Sequence, residues 1–187
     1  MEWLDKIPNG IWNILAGLIG WFSKTIFDAW QKSRRPFKQD KERYEAVINA
    51  IDPVYLHYFR EAPLNSIESR ATDSLHNAFY VLSSIRKRKP KYLHKKLDTL
   101  ESELFDALAD VVYFLSMNLF PHRMRGDIYT MYWDNFDELN RKHREQFQKI
   151  KNELMRKIDR LIAAFEAFRD EGNRLFAEKL VKENSDS

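Results

Sequence analysis

The chain has 187 residues, 44% of them apolar and 32% charged, with a net charge of +3, which suits one compact domain plus an appendage. It contains no cysteine, so disulfides, thiolate chemistry and cysteine-built zinc sites are excluded. The small net charge gives no whole-chain signal for nucleic acid, so a polyanion contact would have to come from a local cluster.

Residues Ile7 to Ser23 contain no charged side chain. Pro8-Asn9-Gly10 is a start signal, and a helix from about Ile11 runs to Trp30 before Pro36 stops it. At about 100° per residue, Ile11, Trp12, Ile14, Leu15, Leu18, Ile19, Trp21, Phe22, Ile26 and Trp30 form a broad apolar arc. Asn13, Gly17, Gly20, Lys24 and Asp28 form a thin polar and small-residue stripe.

Three arrangements fit this segment. From Trp12 to Trp30 a helix is roughly 27 Å long, close to a hydrocarbon core of about 30 Å, with tryptophans at both interfaces. A spanning helix would direct Asn13, Gly17, Gly20 and Lys24 toward sister helices or a pore. Alternatively the helix lies in the interface with its arc in the lipid, or the arc packs on the chain's own bundle. Glu2 and Asp5 in place of a basic leader argue against a secretory signal. If the helix spans, Lys32, Arg34, Arg35, Lys38, Lys41 and Arg43 follow it, and the positive-inside rule then puts the main domain in the cytoplasm. The expected divisions are a membrane-associated helix over 1–31, a basic linker over 32–43, a helical bundle over 44–181 and a disordered tail over 182–187.

Within the bundle, residues 41–51 read as a short helix, and Asp52-Pro53 restarts the chain with an N-cap and a first-turn proline. A helix follows to about Glu61, then a turn at Ala62-Pro63, then a helix capped by Asn65 or Ser66 that runs to about Ile85. Leu93, Leu97, Leu100, Leu104, Leu108, Val111 and Leu115 recur at steps of three and four, the mark of a packing seam in a helix ending near Asn118. Residues 121–133 read as an aromatic-rich loop. The last helix starts near Asp134 and runs toward Leu180, with Phe147, Ile150, Leu154, Ile158, Leu161, Phe165 and Phe168 on one face and a break at Gly172. No strand-like alternation is visible, so the expected fold is all-α: an N-terminal amphipathic or transmembrane helix followed by an antiparallel bundle.

Arg86, Lys87, Arg88, Lys89, Lys91, Lys95 and Lys96 place seven cations in eleven positions, a composition suited to anionic lipid or phosphate. The competing reading is a solvated connection. Arg123, Met124, Tyr129, Met131, Tyr132 and Trp133 combine the residue types enriched at interface hot spots, and are expected either to meet a protein partner or to plug the end of the bundle. The five histidines lack metal-ligand spacing, and Glu101, Glu103, Asp106 and Asp110 read as a solvated face. No catalytic residue, metal or cofactor is expected. Arg70 with His76, or Arg88 with His94, matches the loose spacing of HEPN-type RNases, at the frequency chance would give.

Tyr44, Ile51-Asp52-Pro53, Tyr58-Phe59-Arg60-Glu61 and Asn118-Leu119-Phe120-Pro121 give the chain a resemblance. It resembles a loose group of small bacterial proteins with an N-terminal membrane helix and a helical domain of unknown function. It departs from that group at Ala62-Pro63-Leu64, where Asp-Phe is expected. The resemblance implies a membrane-tethered layout and transfers no catalytic residues. The expected function is a non-enzymatic adaptor or sensor that binds membrane lipids and a protein partner, or self-associates. The alternatives are a pore-forming effector of bacterial stress or antiviral defence, and a HEPN-like RNase acting on nucleic acid.

Overall fold

The computed structural model describes residues 37–61, 66–122, 125–132 and 136–185, with side chains as far as Ala177. The chain divides into two compact units, Met1–Asp40 and Lys41–Ser187. The expected membrane helix over 1–31, with its lipid-facing and stripe residues, lies outside the described residues. Among those described, no helix is long and apolar enough to cross a membrane.

The described residues are mostly helical. Residues 37–50 form α1, followed by α2 (Pro53–Glu61), β1 (Ile67–Glu68), α3 (Ser69–Arg88), α4 (Lys95–Asn118), β2 (Phe120–His122), β3 (Arg125–Thr130) and α5 (Arg141–Ser185). α1 starts four residues ahead of the short helix expected over 41–51, within the segment assigned to the linker. The α1–α2 junction forms as its chemistry dictates: Asp52 Oδ1 accepts the Val54 N–H at 2.9 Å, and Pro53 fills the first-turn position, where no N–H is needed.

The two longest helices are antiparallel. Lys96 meets Glu171 at one end of their contact, and Asp110 meets Arg160 toward the other. Leu97, Leu104, Leu108, Val111 and Leu115 of α4 are buried, as are Leu154, Ile158, Leu161, Phe165 and Phe168 of α5. Leu93, assigned to that seam by spacing, is instead 59% exposed, because it precedes the helix. At 45 residues α5 is about 67 Å long against about 36 Å for α4, so it overhangs its partner. Residues 141–153 of α5 hold no buried side chain.

The chain is mostly helical, as the all-α expectation has it, with one small addition at an end of the bundle. There β1, β3 and β2 form a three-stranded antiparallel sheet with β3 in the centre. Ile67 pairs with Tyr129 and Phe120 with Thr130, with an irregularity between Pro121 and His122. Pro121 is tolerated because β2 is an edge strand. The aromatic segment expected as a loop is thus largely a hairpin, and Ile128, Thr130 and Met131 from it are buried.

Two side chains of α1 fix it to the rest. Arg43 and Glu101, both about 4% exposed or less, form a two-pronged ion pair, with Nε to Oε2 at 2.7 Å and an NH2 nitrogen to Oε1 at 2.5 Å. The remaining terminal nitrogen donates to the carbonyls of Lys89 (3.1 Å) and Pro90 (2.5 Å), and the guanidinium lies over the Tyr92 ring. Burial works against the charge, but the bond to Glu101 and its field prevail and raise the Arg43 pKa above its ordinary value. Glu101 is therefore no part of a solvated acidic face. One residue later, the Tyr44 ring packs against Phe168 and Phe176, and its hydroxyl lies 3.0 Å from Arg169 O and 2.9 Å from Asn173 Oδ1. Gly172 lies beneath that ring and is buried. α5 continues through Gly172 without the expected break, and its helical backbone also runs through 182–185 of the expected tail.

Candidate functional site

Three surfaces of the second unit carry side chains beyond the needs of packing: the α3–α4 connection, an apolar stripe on α4, and an aromatic cluster where the sheet meets α5.

The connection begins where α3 ends. Lys89 leaves the helix in extended backbone geometry, with its N–H on Ile85 O. Arg86, Lys87, Arg88, Lys89, Lys91, Lys95 and Lys96 all have exposed side chains. The seven are not equivalent. The Arg86 guanidinium lies 4.4 Å from the Phe105 ring centroid, and Lys96 bonds the Glu171 carboxylate at 2.7 Å. That carboxylate also takes Arg174, and the bonds to Arg174 and Lys96 hold its pKa down to about 2, so it stays ionised at any physiological pH. Lys87, Arg88 and Lys95 project with no such commitment. Arg43, by gripping the carbonyls of Lys89 and Pro90, holds the middle of the connection to the bundle. The cations thus stand on a backbone that is anchored from beneath.

The stripe was not anticipated from sequence. Tyr113 is 69% exposed and Met117 63%, on the side of α4 turned away from its buried seam, and Phe120, 38% exposed, follows at the start of β2. Exposed Asp106 and Glu103 continue the same face toward the N-terminal end of the helix. The signal was available in the spacing of 113, 117 and 120, a second three-and-four series out of phase with 104, 108, 111 and 115.

The predicted partner-binding residues separate. Arg123, Met124 and Trp133 lie outside the described residues. Met131 is fully buried and plugs the core, so it is unavailable to a partner. Tyr129 is half-buried in β3. Tyr132 is half-buried, stacked on Phe136 with centroids 4.2 Å apart and tilted against Phe147 at 4.9 Å. This cluster braces the overhanging start of α5, where the Asp137 N–H also donates to His143 Nδ1 at 3.1 Å.

Of the pairs with RNase-like spacing, Arg70 is ion-paired with Glu68, whereas His76 bonds Thr72 O and Ser116 Oγ. Arg88 is exposed at the end of α3, and His94 occupies the N-cap position of α4. Among the described residues no group of His, Asp and Glu side chains has the arrangement of a metal site.

No family model, curated protein or solved structure matches this chain. The surfaces themselves therefore carry the functional reading.

Proposed function

We propose that this protein is a membrane-tethered, non-enzymatic helical adaptor or sensor. Residues 1–31 hold it at the bilayer, and the bundle receives a protein partner on the cytoplasmic side. The charge-free, tryptophan-rich run at the N-terminus supports the tether. The observation that carries the membrane-proximal bundle is the α3–α4 connection, where Lys87, Arg88 and Lys95 project from an anchored backbone. Each such cation near an anionic leaflet contributes about 1 kcal/mol. On this reading the connection faces lipid headgroups, and the stripe of Tyr113, Met117 and Phe120 is the surface left for the partner. Apolar and aromatic groups clustered on an otherwise charged face are where contact energy concentrates.

The test is binding of the full-length chain to vesicles containing phosphatidylserine. Replacing Lys87, Arg88 and Lys95 together with glutamate removes roughly 3 kcal/mol or more of attraction, a loss on the order of a hundredfold. Binding to neutral vesicles stays the same. Equal affinity of the variant and the parent for anionic vesicles would show that the connection does not face the membrane.

A further inference from the structure

A cleft of about 630 Å³ opens between the sheet and the start of α3, lined by Tyr58, Ser66, Ser69, Arg70 and Arg125 together with Glu68 and Asp127. From these groups we infer that the cleft is a binding site for a phosphate monoester of up to nucleotide size. This inference stands apart from the membrane reading and does not depend on residues 1–31.

The cleft is assembled by strand pairing. Glu68 lies opposite Ile128, so the start of α3 and the first half of β3 run side by side. Arg125 and Asp127, two apart on the strand, share a face. Two guanidiniums from separate elements are thereby brought to one concavity. Three residues that carry hydroxyls, Tyr58, Ser66 and Ser69, line the same cleft. Tyr58 accepts the Glu68 N–H at 3.0 Å, which leaves its own proton to donate. A volume of this size falls within the usual range for small-ligand pockets.

At present each guanidinium is held by a neighbour two residues away, Arg70 by Glu68 and Arg125 by Asp127 at 3.3 Å. These pairs are exposed to solvent, with Arg70 at 73% and Arg125 at 61%. Exposed pairs of this kind contribute little to stability, so they can be exchanged for a better acceptor. A phosphate monoester is that acceptor, since it is dianionic and offers three oxygens to planar guanidinium forks. The two carboxylates then act as competitors that the ligand displaces. That role sets a direction for their removal opposite to the one expected of simple structural residues.

Titration calorimetry of the full-length chain in neutral detergent, with adenosine monophosphate and glycerol 3-phosphate as probes, tests this. Saturable binding tighter than about 1 mM is expected, weakened about tenfold by Arg70→Gln and by Arg125→Gln. Glu68→Gln and Asp127→Asn strengthen binding several-fold, whereas Asp106→Asn on α4, with the same change in net charge, leaves it as it was. All five positions have solvated side chains, and far-UV circular dichroism verifies that each variant folds. A lipid source of the same group is read in parallel as extra binding to phosphatidic acid vesicles over phosphatidylserine vesicles of equal charge. Loss of that excess in the two arginine variants, with no response to the soluble probes, assigns the site to a lipid headgroup. The inference is overturned if no probe binds saturably and phosphatidic acid gives no excess. It is equally overturned if the arginine variants bind as the parent does, or if Asp106→Asn strengthens binding as much as Glu68→Gln.

Discussion

Glu101→Ala removes about 3–5 kcal/mol of stability, the cost of leaving one member of a buried ion pair without its partner. The expectation rests on what Arg43 is left with. Its guanidinium is about 4% exposed and three of its nitrogens are committed, two of them to the Glu101 carboxylate. Without that carboxylate, the two backbone carbonyls and the Tyr92 ring remain, and neither carries a compensating charge. The cation cannot escape by losing its proton, because arginine stays charged. Urea unfolding followed by circular dichroism reads the loss as a lower midpoint with an unchanged slope. The double variant Arg43→Met/Glu101→Leu recovers most of it, since an apolar pair of similar volume carries no desolvation cost. Asp110→Ala supplies the contrast: its pair with Arg160 is about half-exposed, and its loss costs no more than about 1 kcal/mol. A Glu101→Ala effect as small as that of Asp110→Ala would mean that the pair does not hold α1 in place.

Gly172→Ala destabilises the protein even though helix propensity alone predicts the reverse. A glycine inside a helix is about 1 kcal/mol worse than alanine, so at an open position the substitution would help. Here a methyl group on Gly172 would come within 2.5 Å of Tyr44 Cδ2 and Cζ, well inside van der Waals contact. The ring has nowhere to retreat. Phe168 and Phe176 pack against it with centroids 5.3 and 5.2 Å away, and its hydroxyl is tied to α5 through Arg169 and Asn173. Forced overpacking of this kind typically costs about 1–3 kcal/mol, which outweighs the propensity gain. Thermal unfolding of a mutant cycle checks the mechanism: in a Tyr44→Ala background Gly172→Ala becomes neutral or stabilising, because the obstructing ring is gone. A penalty that persists without the ring would place the strain elsewhere.

These two sites also show how far the sequence could be read. Asp52-Pro53 was legible because capping and first-turn proline are local chemistry. The seams of α4 and α5 were legible because burial against a neighbour imposes a period on each helix. Glu101 was misread by grouping it with Glu103, Asp106 and Asp110 on charge alone. Its spacing of four from Leu97 and three from Leu104 already put it in the seam, where a carboxylate needs a cation. That cation, Arg43, lies 58 residues away, and no local pattern links the two. Gly172 looked like a helix break because its role is to leave space for a ring from another helix. The sheet escaped because β1 and β2 are two and three residues long, too short to show a period, and the pairing of Ile67 with Tyr129 spans much of the domain. The cleft exists only through that pairing, so its two arginines could not be brought together from sequence. The stripe of Tyr113, Met117 and Phe120 was legible in principle, but the stronger apolar series on the same helix masked it.

The central claim is the tether, and flotation of the full-length chain with vesicles of mixed neutral and anionic lipid tests it most directly. The chain is expected to rise with the vesicles in high salt, because burial of the arc of Ile11, Leu15, Leu18 and Trp21 is apolar and salt does not screen it. The double variant Leu15→Asp/Leu18→Asp, which puts two charges in the middle of that arc, is expected to stay at the bottom of the gradient. A parent chain that remains at the bottom in both low and high salt, or a variant that floats as well as the parent, would contradict the account.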